Sequence, residues 1–472
     1  MPVEYDLVII GYTPEGVYAA LNAVSLRARV ALVSQNCSGS CSAFYSYALQ
    51  DLGQKYNRWN EAQKLGFLQS IDEIDLTQEI ARIEKAIATI SEQNSPAILS
   101  AAGVDFIEGT GEFCRRPHLA FIVERRKLRS RSYLLAMGTR PLIPQIEGLQ
   151  EVGYLTPDLL WRSHHLQQLP QNLAIVGGTP LAVELAQSLT RLGKKVALII
   201  EGQFLSSEEP EATRILQAQL EIEGISVLTH APVTQAQKIA RKKWLQVGDS
   251  AIEVDEIIWA VGERPDLENL NLEGLGIEPQ NLRVNPQQQI YRSQVYLCNS
   301  IEGEFTLPNL SQYQVDIALD NALFLPLKKS DRHRIPRIVF TDPNLTRIGA
   351  TEREAKQKYG DRIIVCQKSL KQIPRAILAE EMTGLVKIIL NPAGRILGAT
   401  IVAREAGEFI NLLSFAIQNR SKLDGLAELH GISPSFSETI SQIAKEWQRD
   451  RISKNSFRNS LHRFWFAWQR RN

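Results

Sequence analysis

At 472 residues, with 44% hydrophobic and 22% charged residues, the chain has the composition of a folded globular protein and is too long for one core, which excludes fibrous and disordered classes. A formal net charge of +1 gives the body of the chain no electrostatic case for nucleic acid, so nucleic-acid binding is not expected. The cysteines Cys37, Cys41, Cys114, Cys298 and Cys366 are scattered and odd in number, which argues against a disulfide framework and for a reducing compartment.

No basic stretch leading into an apolar segment opens the sequence, and no run of about 18 apolar residues occurs, so the expectation is a cytoplasmic protein without a membrane span. Tyr5 to Ile10 is a short apolar run ending in Gly11-Tyr-Thr-Pro-Glu-Gly16, followed by a helical pattern and then Arg29-Val-Ala-Leu-Val33. This is a β-turn-α-β unit. The same grammar returns at Leu173-Ala-Ile-Val176, Gly177-Gly-Thr-Pro-Leu-Ala182, a helical pattern through Leu192 and Lys195-Val-Ala-Leu-Ile-Ile200. Two further runs, Leu134-Leu-Ala-Met-Gly-Thr-Arg-Pro141 and Ile257-Ile-Trp-Ala-Val-Gly-Glu-Arg-Pro265, share one design and each closes a unit. Beyond Asp331 strand and helix patterns alternate through about residue 447, as in a separate α+β domain.

In a dinucleotide loop the first glycine allows the turn, the second lets backbone approach the pyrophosphate, and the third lets helix pack on strand. Gly11 and Gly16 fill the outer places of the first loop and Gly177 and Ala182 those of the second, while Thr13 and Thr179 occupy the middle places. Each Thr precedes a Pro at the helix start, where a missing N–H costs nothing. A Thr narrows the approach, but its hydroxyl is expected to donate to a phosphate oxygen. The carboxylate expected at the end of each second strand is replaced by Ser34 in the first unit and by Ile200 in the second, with Glu201 one residue later. The absence of an arginine pair just after Ile200 favours NADH over NADPH.

From about Tyr5 to Ile440 the sequence resembles the pyridine nucleotide-disulfide oxidoreductases, the class of dihydrolipoamide dehydrogenase, glutathione reductase and mercuric reductase. The resemblance rests on the first loop, Ala136-Met-Gly-Thr-Arg-Pro141, the second loop, Ala260-Val-Gly-Glu-Arg-Pro265, Phe340-Thr-Asp-Pro343, Ile396-Leu-Gly-Ala399 and Ala406-Gly-Glu408, in family order. It implies an α/β chain of two Rossmann-like dinucleotide-binding domains, for FAD and NAD(P), plus a C-terminal α+β dimerisation domain. The expected boundaries are 1–150 and 266–330 for the FAD-binding domain, 151–265 for the NAD(P)-binding domain, 331–448 for the interface domain of a homodimer and 449–472 for a tail. It also implies FAD at Gly11, Thr13, Gly16, Ser34, Gly138 and Ser300, and NADH or NADPH at Gly177, Thr179, Ala182, Glu184, Glu201 and Gly262, with Glu184 near the nicotinamide. No metal is expected.

Against this pattern stand three gaps. The family's Cys-x4-Cys pair appears as Cys41 and Ser46, so the flavin-facing sulfur is a hydroxyl, and the lysine that follows is Gln50. The family's His-Pro-x-x-x-Glu run reads Ser433-Pro-Ser-Phe-Ser-Glu438, which removes the base and leaves Glu438. The Gly-Asp that holds the flavin side of FAD is Asn299-Ser300. What is left suits an oxidoreductase that passes electrons from flavin directly to a small acceptor such as a quinone or oxygen. A silent scaffold on the same fold, and a single-cysteine oxidase or peroxidase using Cys41, are the alternatives.

Residues 449–472 hold seven Lys/Arg against one Asp, a net of +6, so the remainder carries 1 − 6 = −5. Phe457, Leu461, Phe464, Trp465 and Trp468 fall on one helical face and Phe466 on another. Such a tail is expected to dock at a membrane surface or on a protein partner, or to pack on its own dimer.

Overall fold

The computed structural model describes residues 3–35, 42–67, 76–115, 117–161, 165–279, 282–290, 294–298, 307–454 and 464–470. The chain divides into two compact units, 1–204 with 220–331, and 205–219 with 332–472.

In the first unit, the all-apolar run Leu7 to Ile10 is fully buried, as the central strand of a parallel sheet covered on both faces must be. Five strands lie in the order Val295–Leu297, Ser130–Leu135, Tyr5–Ile10, Val30–Ser34 and Asp105–Glu108, all parallel. The chain steps outward to one side of the first strand, then returns to build the other side. That reversal leaves a crevice at the carboxyl end of Tyr5–Ile10, where such sheets bind ligands. Ala19, Ala20 and Ala23 of the helix Pro14–Ser25 pack on one face with Val315 and Ala318 of the helix Pro308–Leu323. Phe113, Phe121 and Leu128, from a small antiparallel sheet, cover the other.

A second parallel sheet of the same unit runs Ser226–Leu228, Lys195–Ile199, Asn172–Val176 and Glu256–Trp259, with the same reversal beside Asn172–Val176. The two closing motifs meet. Thr139–Pro141 pairs antiparallel with Glu263–Pro265, with Arg140 opposite Arg264. The matched sequence design of the two runs is thus a two-stranded ladder.

The second unit holds a five-stranded antiparallel sheet in the order Arg337–Val339, Asn344–Gly349, Ile396–Ala403, Leu385–Leu390 and Ile364–Ser369. Val386, Ile388 and Leu390 alternate onto one face and pack against Phe409, Leu413, Ile440, Ile443 and Trp447 from the helices Ala406–Gln418 and Glu438–Lys454. On the opposite side of the pleat sits Lys387, only 1% exposed, bonded to Glu209, Glu211 and Glu352. Arg347 makes a two-pronged contact with Glu208. These ion pairs, with the bond from Glu352 N to Glu209 Oε1, tie the segment 205–219 to this unit. Ile377, Leu378, Phe415 and Ile432 remain exposed on it. Among the described residues, no helix is long and apolar enough to cross a membrane.

Candidate functional site

Both loops turn from a buried strand into a helix through a glycine that no other residue replaces. Gly11 has φ +120° and Gly177 φ +146°, and a Cβ there would lie 2.0 Å from Ala136 O and 2.2 Å from Ala260 O. A Cβ on Gly16 would meet Gly11 O at 2.1 Å, so the third place of the first loop is equally constrained. Thr13 and Thr179 cap the helices Pro14–Ser25 and Pro180–Arg191, accepting from Gly16 N at 3.1 Å and from Ala182 N at 3.2 Å. Their own hydroxyl protons go to Ala136 O at 2.9 Å and Ala260 O at 2.8 Å.

This corrects the expectation for the threonines. A hydroxyl has one proton, and in both loops it bolts the turn to the end of a neighbouring strand instead of facing a phosphate. The helix ends themselves are intact, each with proline at its start and the positive end of its dipole at the crevice. Such cradles fit a pyrophosphate held by backbone N–H groups and the helix dipole.

Ser34 ends the strand Val30–Ser34 and lies level with Glu108 on the next strand. Glu108, missed in the sequence, is an exposed carboxylate that only strand register brings beside Ser34. In the second unit of the pair, Ile200 is buried, and its Cγ2 is 2.9 Å from where a Cβ on Gly178 would stand. Glu201 is the exposed residue just beyond. Gly138, with φ +77°, accepts from Asp266 N at 3.1 Å, and Gly262 accepts from Leu142 N at 2.9 Å. Cys41 and Ser300 lie outside the described residues.

The helices Ser42–Lys64 and Pro180–Arg191 carry the next feature. A Cβ on Gly53 would stand 3.3 Å from Ser188 Cα, so the two backbones pass closely. At this crossing Ser46 Oγ donates to Glu184 Oε2 at 2.6 Å, with both side chains buried. Gln50 Nε2 donates to Glu184 O at 3.0 Å, and Ser188 Oγ donates to the same carbonyl at 2.8 Å. Gln50 Oε1 is buried with no hydrogen-bond partner among the described residues. Glu184 is therefore no surface carboxylate. Two positions read in the sequence as losses, Ser46 and Gln50, now hold it and its backbone.

The ladder of the two closing motifs half-buries another acid, Glu263. Thr139 Oγ1 donates to Glu263 Oε2 at 2.6 Å. Burial pushes the Glu263 carboxyl above its ordinary value, Thr139 opposes this, and Asp158 adds to it. A carboxyl raised on folding contributes stability below its unfolded value and loses it as pH rises through the folded value. Glu263→Gln keeps an acceptor for Thr139 and removes the charge. The melting temperature of this variant is expected to exceed that of the native chain by about 2 °C at neutral pH and to match it near pH 4. Equal shifts at both values would show that the side chain acts by packing alone.

In the second unit, the helix Glu438–Lys454 begins just beyond Ser433, the position of the lost base, at the carboxylate that is left. Glu438 N donates to Ser435 Oγ at 3.3 Å, and Glu438 Oε1 is buried with no hydrogen-bond partner among the described residues. His430 is exposed, with Nδ1 2.8 Å from Glu428 O. Burial pushes the Cys298 thiol well up and the Cys366 thiol up to about 11, the opposite of an activated thiolate.

Comparison with known proteins agrees with this architecture. The sequence profile described as "Pyridine nucleotide-disulphide oxidoreductase" matches residues 5–313, and that of the family's dimerisation domain matches residues 335–444. The chain is 26% identical over 466 residues to a mercuric reductase of Staphylococcus aureus, covering 96% of this chain and 84% of that one. It is 25% identical over 455 residues to a dihydrolipoyl dehydrogenase of Bacillus subtilis (strain 168), covering 92% and 96%. Its fold matches LpdA from Mycobacterium tuberculosis, with TM-score 0.83, 23% identity and coverage of 93% and 99%. It also matches the HOCl-induced flavoprotein disulfide reductase RclA from Escherichia coli in its Cu(II) complex, with TM-score 0.80, 22% identity and coverage of 94% and 99%. Family members use FAD and NAD(P)H, and the dimerisation domain supports a homodimer. With two glycine-turned helix ends at two sheet reversals, followed by a dimerisation domain, the chain belongs to the pyridine nucleotide-disulphide oxidoreductase family.

Proposed function

We propose that the chain is an FAD-dependent NAD(P)H oxidoreductase that delivers electrons from flavin directly to a small acceptor, such as a quinone or oxygen, and not through a disulfide. The observation that carries this reading is the buried bond from Ser46 Oγ to Glu184 Oε2: where the family places its flavin-facing sulfur, a redox-inert hydroxyl is fixed. Both nucleotide cradles persist around it. FAD, when bound, supplies the chemistry that takes a hydride from the nicotinamide and releases electrons to the acceptor.

The chain's own residues divide the work. Gly11, Gly16, Gly138 and Ser300 hold the FAD backbone, with Thr13 keeping the loop rigid and Ser34 at the adenosine ribose. Gly177, Ala182, Gly262 and Glu201 hold the nicotinamide nucleotide, with Thr179 in the rigidifying role, and NADH is the favoured donor. Glu184 lies beside the nicotinamide, and Ser46 orients its carboxylate. The C-terminal tail docks to a membrane surface or a protein partner, at the periphery of a membrane in the first case.

The test is the absorbance spectrum of purified protein before and after anaerobic NADH. A flavin band that bleaches on addition is the expected result. A colourless protein would leave a scaffold on the same fold, and a flavin band that NADH leaves unchanged would mean that the site around Thr179 and Ile200 does not take the nucleotide.

A further inference from the structure

Val33 and Ile107 point from neighbouring strands of the first sheet into the core on one face, and Leu32 and Phe106 into the core on the other, beside the helix Pro14–Ser25. Side chains alternate along a strand, so Ser34 and Glu108, two places on from Leu32 and Phe106, rise on the helix side. The two are level in the parallel ladder, on strands about 4.8 Å apart. Gln35, buried next to Ser34, accepts from Gly111 N at 3.2 Å and so ties the two strand ends together. Gly109, with φ +136°, turns the chain away directly after Glu108, where a Cβ would stand 2.9 Å from Val123 Cγ1.

The first glycine loop reaches the same end of the sheet. Tyr12, between Gly11 and Thr13, packs edge-on against Phe106 with ring centroids 5.2 Å apart, and its hydroxyl donates to Asn94 O at 2.7 Å. The turn that cradles a pyrophosphate is thereby fixed against the strand that ends in Glu108. Among the described residues, neither Ser34 nor Glu108 spends its side chain on a hydrogen bond or an ion pair. A hydroxyl and a carboxylate stand unspent, side by side, at the end of the sheet that carries the cradle.

We propose that Glu108 is the carboxylate that holds the adenosine ribose of FAD, supplied from the strand Asp105–Glu108 in place of the one that Ser34 lacks. In a dinucleotide fold an acid at the end of the second strand accepts from the ribose 2′-hydroxyl. Ser34 takes that place here, and its oxygen carries no charge. The two-methylene stem of Glu108 covers the step between the strands, so its carboxylate accepts from the 2′-hydroxyl while Ser34 meets the hydroxyl beside it. The inference rests on the reading that the first loop binds FAD, and it names the residue that anchors the adenosine end.

The test is equilibrium dialysis of the full-length protein and its Glu108→Gln variant, against FAD and against an FAD analogue whose adenosine lacks the ribose 2′-hydroxyl. Glu108→Gln is expected to weaken FAD binding by about tenfold or more, the worth of one charge-assisted hydrogen bond, and to leave binding of the analogue unchanged. Equal FAD affinity in the two proteins overturns the proposal. An equal loss for FAD and for the analogue also overturns it, since the carboxylate would then act on something other than the ribose. Both of those results leave FAD bound to the native chain, whereas a native chain that takes up no FAD removes the reading of the first loop together with the role of Glu108.

Discussion

Loaded with FAD and supplied with NADH, the protein is expected to reduce a dye or quinone while turning over no lipoamide, glutathione disulfide or Hg(II). Hydride transfer to flavin needs only two nucleotide sites in register and a carboxylate in place. Disulfide chemistry needs two cysteines and a base as well. Ser46 ends the electron path at a hydroxyl that is hydrogen-bonded to Glu184, and Ser433 removes the group that would deprotonate an exchange thiol. Losing a single acid–base group costs about 10²–10⁴ in rate, so losing it together with a sulfur places disulfide turnover below detection. Parallel assays on one flavin-loaded preparation check this. Robust disulfide reduction by the unmodified chain would mean that Cys41 and Ser46 have been assigned to the wrong places in the family pattern.

The nucleotide folds were legible because their signals are local. An apolar run, a glycine turn and a proline-started helix recur within about 30 residues, the span of one βαβ unit. What those residues do with their hydrogen bonds was less legible. The threonines Thr13 and Thr179 have the same sequence environment whether their hydroxyls face a ligand or a carbonyl, and only the approach of Ala136 and Ala260 decides it. The contacts of Ser46 with Glu184, 138 residues apart, and the register of Ser34 with Glu108 are likewise set by packing of distant elements. Lys387 was hidden for another reason: in an alternating strand a lysine reads as the solvent face, unless a distant acidic segment is known to cover it.

That segment makes the largest stability prediction. Lys387 is buried on the sheet face opposite the helices and is bonded to Glu209 at 2.8 Å, Glu352 at 2.7 Å and Glu211 at 3.1 Å. Burial alone would lower its pKa, but the bonds to Glu209 and Glu352 outweigh this and hold it above the ordinary lysine value. Lys387→Met fills similar space and leaves the buried Glu209 carboxylate without its cation, which is expected to destabilise the 205–219 with 332–472 unit by about 3–5 kcal/mol. Adding Glu209→Leu to that variant is expected to recover a large part of the loss, because the unpaired charge and not the missing attraction dominates. The pH dependence has a definite sign. A raised lysine contributes stability below its unfolded value and loses it as pH rises through the folded value, so the gap between native and Lys387→Met chains narrows at alkaline pH. Glu352, depressed by Lys356 and then by Lys387, contributes above its unfolded value and loses that contribution as pH falls, so the gap also narrows in acid. Urea unfolding of the native, single and double variants across that range measures all three effects. A Lys387→Met chain as stable as the native one at neutral pH would mean that the acidic segment 208–211 can leave the sheet and stay solvated at no cost.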